Sequence, residues 1–136
     1  MVCLDKNRSG WRERFGHIPP REGDRTCIWI HAVSVGEVNA TRALVQQIRN
    51  AFLDIEIVIS STTDTGFDRA KTLYRDLKVF RYPLDFSWMI HRVLDRLRPT
   101  VIVLMELEVW YNLSTIAARR GVKVCVANGR FTERSA

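Results

Sequence analysis

Short, nearly unbroken apolar runs alternate with amphipathic stretches along most of this chain, a rhythm that predicts a parallel α/β sheet. The strand candidates are Cys27 to Val33, Ile55 to Ser61, Val79 to Tyr82, Val101 to Met105 and Val122 to Ala127. Few polar residues interrupt them, as expected for strands covered by helices on both faces. Between the strands, Val38 to Phe52 sets Ala40, Leu44, Ile48 and Phe52 on one stripe, at the three-and-four spacing of a helix. Gly66 to Tyr74 places Phe67, Ala70, Leu73 and Tyr74 together, and Phe86 to Leu97 carries Ile90, Val93, Leu94 and Leu97 before stopping ahead of Pro99. Val109 to Arg120 carries Leu113, Ile116 and Ala117 and ends at Gly121, a C-terminal cap. Five strands and four helices make a Rossmann-like domain over residues 25–136, preceded by an irregular, Pro/Gly-punctuated lead-in over 1–24.

The right-handed crossover rule brings all five strand-to-helix junctions to one edge of such a sheet, where open α/β proteins bind their ligands. Each junction carries polar residues. The first supplies Ser34, a hinge at Gly36 and the carboxylate of Glu37 at a helix start, a position for a proton acceptor. The second is the hydroxyl-rich run from Ser60 through Thr63, Asp64 and Thr65 to Gly66. Pro83 and Asp85 form the third, Glu106 and Glu108 the fourth, and Asn128, Gly129 and Arg130 the fifth. Candidate substrate-binding residues are therefore Ser34, Gly36, Thr63, Thr65, Gly66, Asp85, Asn128 and Arg130, with Glu37, Glu106 and Glu108 as candidates for chemistry. An acidic residue in a first helical turn also suits the macrodipole without any catalysis. Glu106 and Glu108 point the same way in extended chain, which raises the pKa of one of them unless a cation or donor lies nearby; a helix cap with a solvated neighbour is the simpler alternative. Three converging glutamates are also a possible divalent-metal set, but no His or Cys joins them at ligand spacing.

Composition narrows the class of partner. A 46% apolar fraction is ordinary for a globular domain. The net charge of +6 favours anionic partners: phosphate groups, nucleic acid or acidic lipid. Aromatics do not interleave with the basic residues, which argues against single-strand nucleic-acid binding. The densest basic stretch, Arg8, Arg12, Arg14, Arg21 and Arg25, reads equally as a solvated arm or a contact surface. No window approaches the roughly 18 apolar residues of a membrane span, and the start of the chain has no signal-peptide core, so a cytoplasmic location is expected. Cys27 and Cys125 sit in apolar runs and read as core residues, and His31 reads as a hydrogen-bonded core residue. The first junction lacks the GxGxxG of a dinucleotide site, and no P-loop is present.

Several segments together resemble the 3-deoxy-D-manno-octulosonic acid (Kdo) transferases of lipopolysaccharide assembly. They are RERFG at Arg12 to Gly16, HAVSVGEVNATR from His31, the hydroxyl run ending at Thr65 and Gly66 with Arg69 and Ala70 after it, PLD at Pro83, MELEVWYN from Met105, and ANGRFTERSA at the end. The chain departs from that family's usual METELWPN at Leu107, Val109 and Tyr111, and from its ANARLS at Gly129, Phe131 and Thr132, but keeps the acidic residues.

The resemblance implies the N-terminal half of an inverting, two-domain GT-B glycosyltransferase that moves Kdo from CMP-Kdo to a lipid A precursor, with no cofactor and no metal in the chemical step. It implies Glu37 as general base, Glu106 as a transition-state residue and Glu108 as its supporting neighbour. It further implies a peripheral location on the cytoplasmic face of the inner membrane, no nucleic-acid partner, and a membrane anchor that is absent or reduced in this chain. The donor-binding C-terminal domain is expected to lie outside the chain, so the chain alone is expected to be inactive, because catalysis needs both reactants held together. Two other readings stay open: the acceptor domain of another envelope-glycolipid GT-B glycosyltransferase, and a non-catalytic module that binds acidic lipid or a partner.

Overall fold

A computed structural model describes residues 11–105 and 111–127. Its elements run β1 (Thr26–Ala32), α1 (Val35–Ala51), β2 (Ile55–Ser61), α2 (Asp64–Leu73), β3 (Lys78–Arg81), α3 (Ser87–Leu97), β4 (Val101–Leu104), α4 (Tyr111–Arg119) and β5 (Lys123–Val126). The strands form one parallel sheet in the order β3-β2-β1-β4-β5, the Rossmann-like arrangement expected from the alternation of runs.

The sheet's two faces bury different residues of the same strands, because side chains alternate along a strand. On one face Cys27, Trp29, Val58, Phe80 and Ile102 pack with Ile90, Val93, Leu94 and Leu97 of α3 and Leu113, Ile116 and Ala117 of α4. On the other, Ile30, Ile57, Ile59 and Val103 pack with Val38 and Val45 of α1 and Ala70 of α2. Both faces being covered is why the strands read as continuous apolar runs. Cys125 corrects the sequence reading. It is exposed, because β5 is an edge strand whose face opposite α4 has no described helix over it.

Helix ends follow local chemistry. α4 closes as expected at Gly121, whose φ of +77° suits a residue without Cβ. Val122 N–H donates to Ala117 O at 2.8 Å and Gly121 N–H to Ala118 O at 3.1 Å, the paired bonds of a Schellman motif. α2 begins two residues earlier than its apolar stripe indicates, because Thr63 caps it: Thr63 Oγ1 accepts from Gly66 N–H at 3.0 Å.

Residues 11–25 are not a solvated arm. After a helical stretch at 11–14, Ile18 is buried in the α3 face of the core. Arg21 is also buried, donating through Nε to Leu97 O at 2.6 Å and through Nη2 to Arg98 O at 3.3 Å, and pairing with Glu56 at 3.3 Å. It thereby satisfies carbonyls that the end of α3 leaves without helical partners.

Candidate active site

The carboxyl ends of β1 and β2 are joined through one peptide carbonyl. Val33 O accepts Thr63 N–H at 3.2 Å, Ser61 Oγ at 3.1 Å and Thr63 Oγ1 at 3.2 Å. Ser34 is the extended N-cap of α1, yet its side chain makes no capping bond. Glu37 takes over that role: its Oε1 accepts Val33 N–H at 2.9 Å, a variant of the capping box in which a third-position acid reaches back over the helix start. The chain therefore turns at Val33 and Ser34, not at Gly36. That hinge expectation is corrected, since Gly36 lies inside α1 and the Ser34 cap with the Glu37 back-bond already stops the strand.

The two candidate glycines differ in kind. A Cβ on Gly66 would collide with Ser61 Oγ and Thr63 Oγ1 and stand 3.3 Å from the Ser34 carbonyl carbon, so any larger residue there forces these groups to shift. A Cβ on Gly36 would meet nothing within 4 Å. Thr65 is exposed, its hydroxyl 3.4 Å from Thr63 Oγ1.

Behind these loops, His31 is buried, as its place in a strand suggested. Its Nδ1 lies 2.8 Å from Ser60 Oγ, which also accepts Trp29 Nε1–H at 2.8 Å. Nε2 lies 3.3 Å from Thr62 Oγ1, and the Tyr82 ring packs at 4.1 Å. Burial lowers the imidazole pKa to about 3, so the ring is neutral and serves as a bridge under the second junction.

The third junction reaches the fourth element through Asp85, whose carboxylate accepts Asn112 N–H and Leu113 N–H, each at 3.2 Å, in the first turn of α4. Asn112 Nδ2 returns a bond to Asp85 O. Asp85 is thus a helix cap supplied from another loop, a role that its position in sequence alone did not reveal.

A polar cluster that the pattern of the chain did not single out lies at the same edge. Arg81, buried in β3, donates from Nε to Asp64 Oδ1 at 3.2 Å, and its guanidinium carbon stands 4.0 Å from the Phe67 ring centroid. Its backbone N–H donates to Glu13 Oε2 at 3.1 Å, and burial pushes the Glu13 carboxyl above its usual value against the lowering effects of that bond and the Arg81 charge. Arg14 Nη2 donates to Thr62 O at 3.0 Å and lies 3.6 Å from Asp64. The signals were there as a charged residue inside the VFRY run and as RERFG.

Glu106, Glu108, Asn128 and Arg130 lie outside the described residues. The strands leading to them end at this edge: Met105 N–H donates to His31 O at 3.0 Å, and Ala127 N–H to Leu104 O at 2.9 Å. Among the described residues no three His, Cys, Asp or Glu side chains come together as a metal set, and no helix is long and apolar enough to cross a membrane.

Comparison with known proteins adds a family. A family model described as 3-deoxy-D-manno-octulosonic-acid transferase (kdotransferase) matches residues 9–136. The chain is 37% identical over 142 residues to the 3-deoxy-D-manno-octulosonic acid transferase of Haemophilus influenzae, covering 99% of this chain and 32% of that protein. It is 33% identical to the protein of the same name from Chlamydia muridarum, covering 99% and 32%. It is 31% identical to a probable 3-deoxy-D-manno-octulosonic acid transferase, mitochondrial, of Arabidopsis thaliana, covering 93% and 29%. The chain spans about a third of the length of these relatives.

Proposed function

Because the chain belongs to the 3-deoxy-D-manno-octulosonic acid (Kdo) transferase family, we propose that it is the acceptor-binding, base-bearing domain of a GT-B enzyme transferring Kdo from CMP-Kdo to a lipid A precursor. The observation that carries the reading is Glu37, half-buried at the carboxyl edge and oriented by the Val33 amide at 2.9 Å. A carboxylate fixed in this way is suited to take a proton from a sugar hydroxyl bound over the first two junctions.

In this mechanism the acceptor hydroxyl gives its proton to Glu37 as its oxygen bonds to the anomeric carbon of Kdo. The bond from that carbon to the CMP phosphate oxygen breaks, CMP leaves with the electron pair, and the configuration inverts. Glu106 is assigned to the transition state, Glu108 to its support, and Asn128 and Arg130 to acceptor binding. Ser34, Thr63 and Thr65 offer hydroxyls to the acceptor, while Gly36 leaves room for it above α1. Gly66 and Asp85 act indirectly, by setting the backbone that carries these groups. A second Rossmann-like domain binds the CMP part of the donor, and the enzyme works peripherally at the cytoplasmic face of the inner membrane. The basic balance of this chain suits such an anionic setting.

The test is Glu37→Gln in a full-length polypeptide bearing this domain. Loss of a general base should lower kcat by about 10²–10⁴-fold while the acceptor KM stays within about twofold. An unchanged kcat removes the assignment.

A further inference from the structure

Between the lead-in and the outer side of α3 lies a cavity of about 550 Å³, lined by Arg12, Glu13, His17, Ile18, Pro19 and Arg96. Its lining sets two guanidinium groups, Arg12 and Arg96, against the single carboxylate of Glu13. Arg92 and Arg96, four residues apart, share a side of α3. Arg92 Nη1 donates to His17 Nε2 at 2.8 Å, and Arg96 Nη1 donates to Ile18 O at 2.7 Å. A guanidinium has only donors, so Nε2 presents its lone pair and the His17 ring is neutral. Local desolvation, and then the charges of Arg92, Arg96 and Arg12, lower the His17 pKa.

The nearby acids are committed elsewhere. Glu13 turns its carboxylate to the Arg81 amide, Asp95 pairs with Arg120 and Asp24 with Arg98. Among the described residues, Arg12, Arg92 and Arg96 have no carboxylate partner. Arg12 is exposed and Arg92 and Arg96 are half-buried, so water screens their mutual repulsion, and an anion entering the opening meets guanidinium groups that no carboxylate among the described residues neutralises. Guanidinium forks around a concave opening match the oxygens of a tetrahedral oxyanion. Arg92 also lies over the exposed Trp88 ring, 5.3 Å from its centroid.

We propose that this cavity binds a phosphate group, held by Arg12 and Arg96, with the His17 ring beside it and Arg92 outside the lining, fixing that ring. The inference stands on the charge and shape of the cavity and does not rest on the sugar-transfer reading.

Titrating inorganic phosphate into the full chain at constant ionic strength, while following the His17 ring resonances, tests it. A saturable shift is expected that Arg12→Glu weakens by about tenfold or more and that Arg42→Glu, on α1, leaves unchanged. If circular dichroism shows that Arg12→Glu has lost its fold, Arg12→Gln replaces it, with a weakening of at least about threefold expected. A drift that sodium chloride reproduces, or equal binding by the Arg12 variant, overturns the proposal. Sedimentation with phosphatidylglycerol vesicles, against phosphatidylcholine controls, then assigns the source. Retention that Arg12→Glu abolishes marks a lipid headgroup, whereas phosphate binding without retention marks a soluble phosphate ester.

Discussion

Gly36 and Gly66 both lie in the first turns of consecutive helices, yet they are glycines for opposite reasons. At Gly66 the missing Cβ is a packing requirement, since Ser61 Oγ, Thr63 Oγ1 and the Ser34 carbonyl carbon already fill the space. Gly66→Ala should therefore overpack the contact between the first two junctions and cost about 1–3 kcal/mol in urea denaturation. At Gly36 nothing fills the space, and the residue is helical. Gly36→Ala should stabilise the fold by about 0.5–1 kcal/mol, because alanine loses less backbone entropy in a helix. If the acceptor passes over this point, the same variant raises its KM in the full-length enzyme. A more stable protein with an unchanged KM would remove Gly36 from the binding wall.

At the level of elements, the beginning of α4 depends on a side chain from the loop before α3. Asp85→Ala leaves the Asn112 and Leu113 amides without their acceptor and should cost about 0.5–2 kcal/mol, with faster hydrogen exchange concentrated in the first turn of α4. Such long-range capping explains what could be read along the chain and what could not. β1, β2 and β4 were legible because a strand covered on both faces writes its burial directly as an apolar run, and α1 to α4 because one apolar stripe suffices. Helix starts were missed by two or three residues, because Thr63 and Glu37 extend α2 and α1 beyond their apolar stripes. What the lead-in packs against was not legible: its anchors, Ile18 and Arg21, bind α3 some 75 residues away and follow no local period. Cys125 misled because an apolar run does not reveal that its strand will be an edge. Of the candidate site, the first three junctions were foreseen as an edge; the division between groups that meet solvent and groups that hold the loops together needed coordinates.

For the molecule as a whole, the buried neutral His31 links folding to pH. Its pKa of about 3 lies below the ordinary histidine value of about 6.5, so between these limits the unfolded chain binds more protons. Stability should fall as pH drops through that window, by at most about 1.4 kcal/mol per pH unit from this residue, and level off below it. Glu13, whose carboxyl burial pushes upward, acts in the opposite sense and loses stability as pH rises. Comparing denaturation curves of the parent chain and His31→Asn between pH 7 and 4 isolates the histidine; identical slopes would show that His31 is not buried as a neutral ring.

The three bonds gathered on Val33 O have one more consequence. Rotating the Val33–Ser34 peptide would break all of them together, and the neighbouring Val33 amide is held by Glu37. This part of the sheet edge is an anvil: it is built before any ligand arrives and has little entropy left to lose. Closure around a substrate would then have to come from whatever faces it.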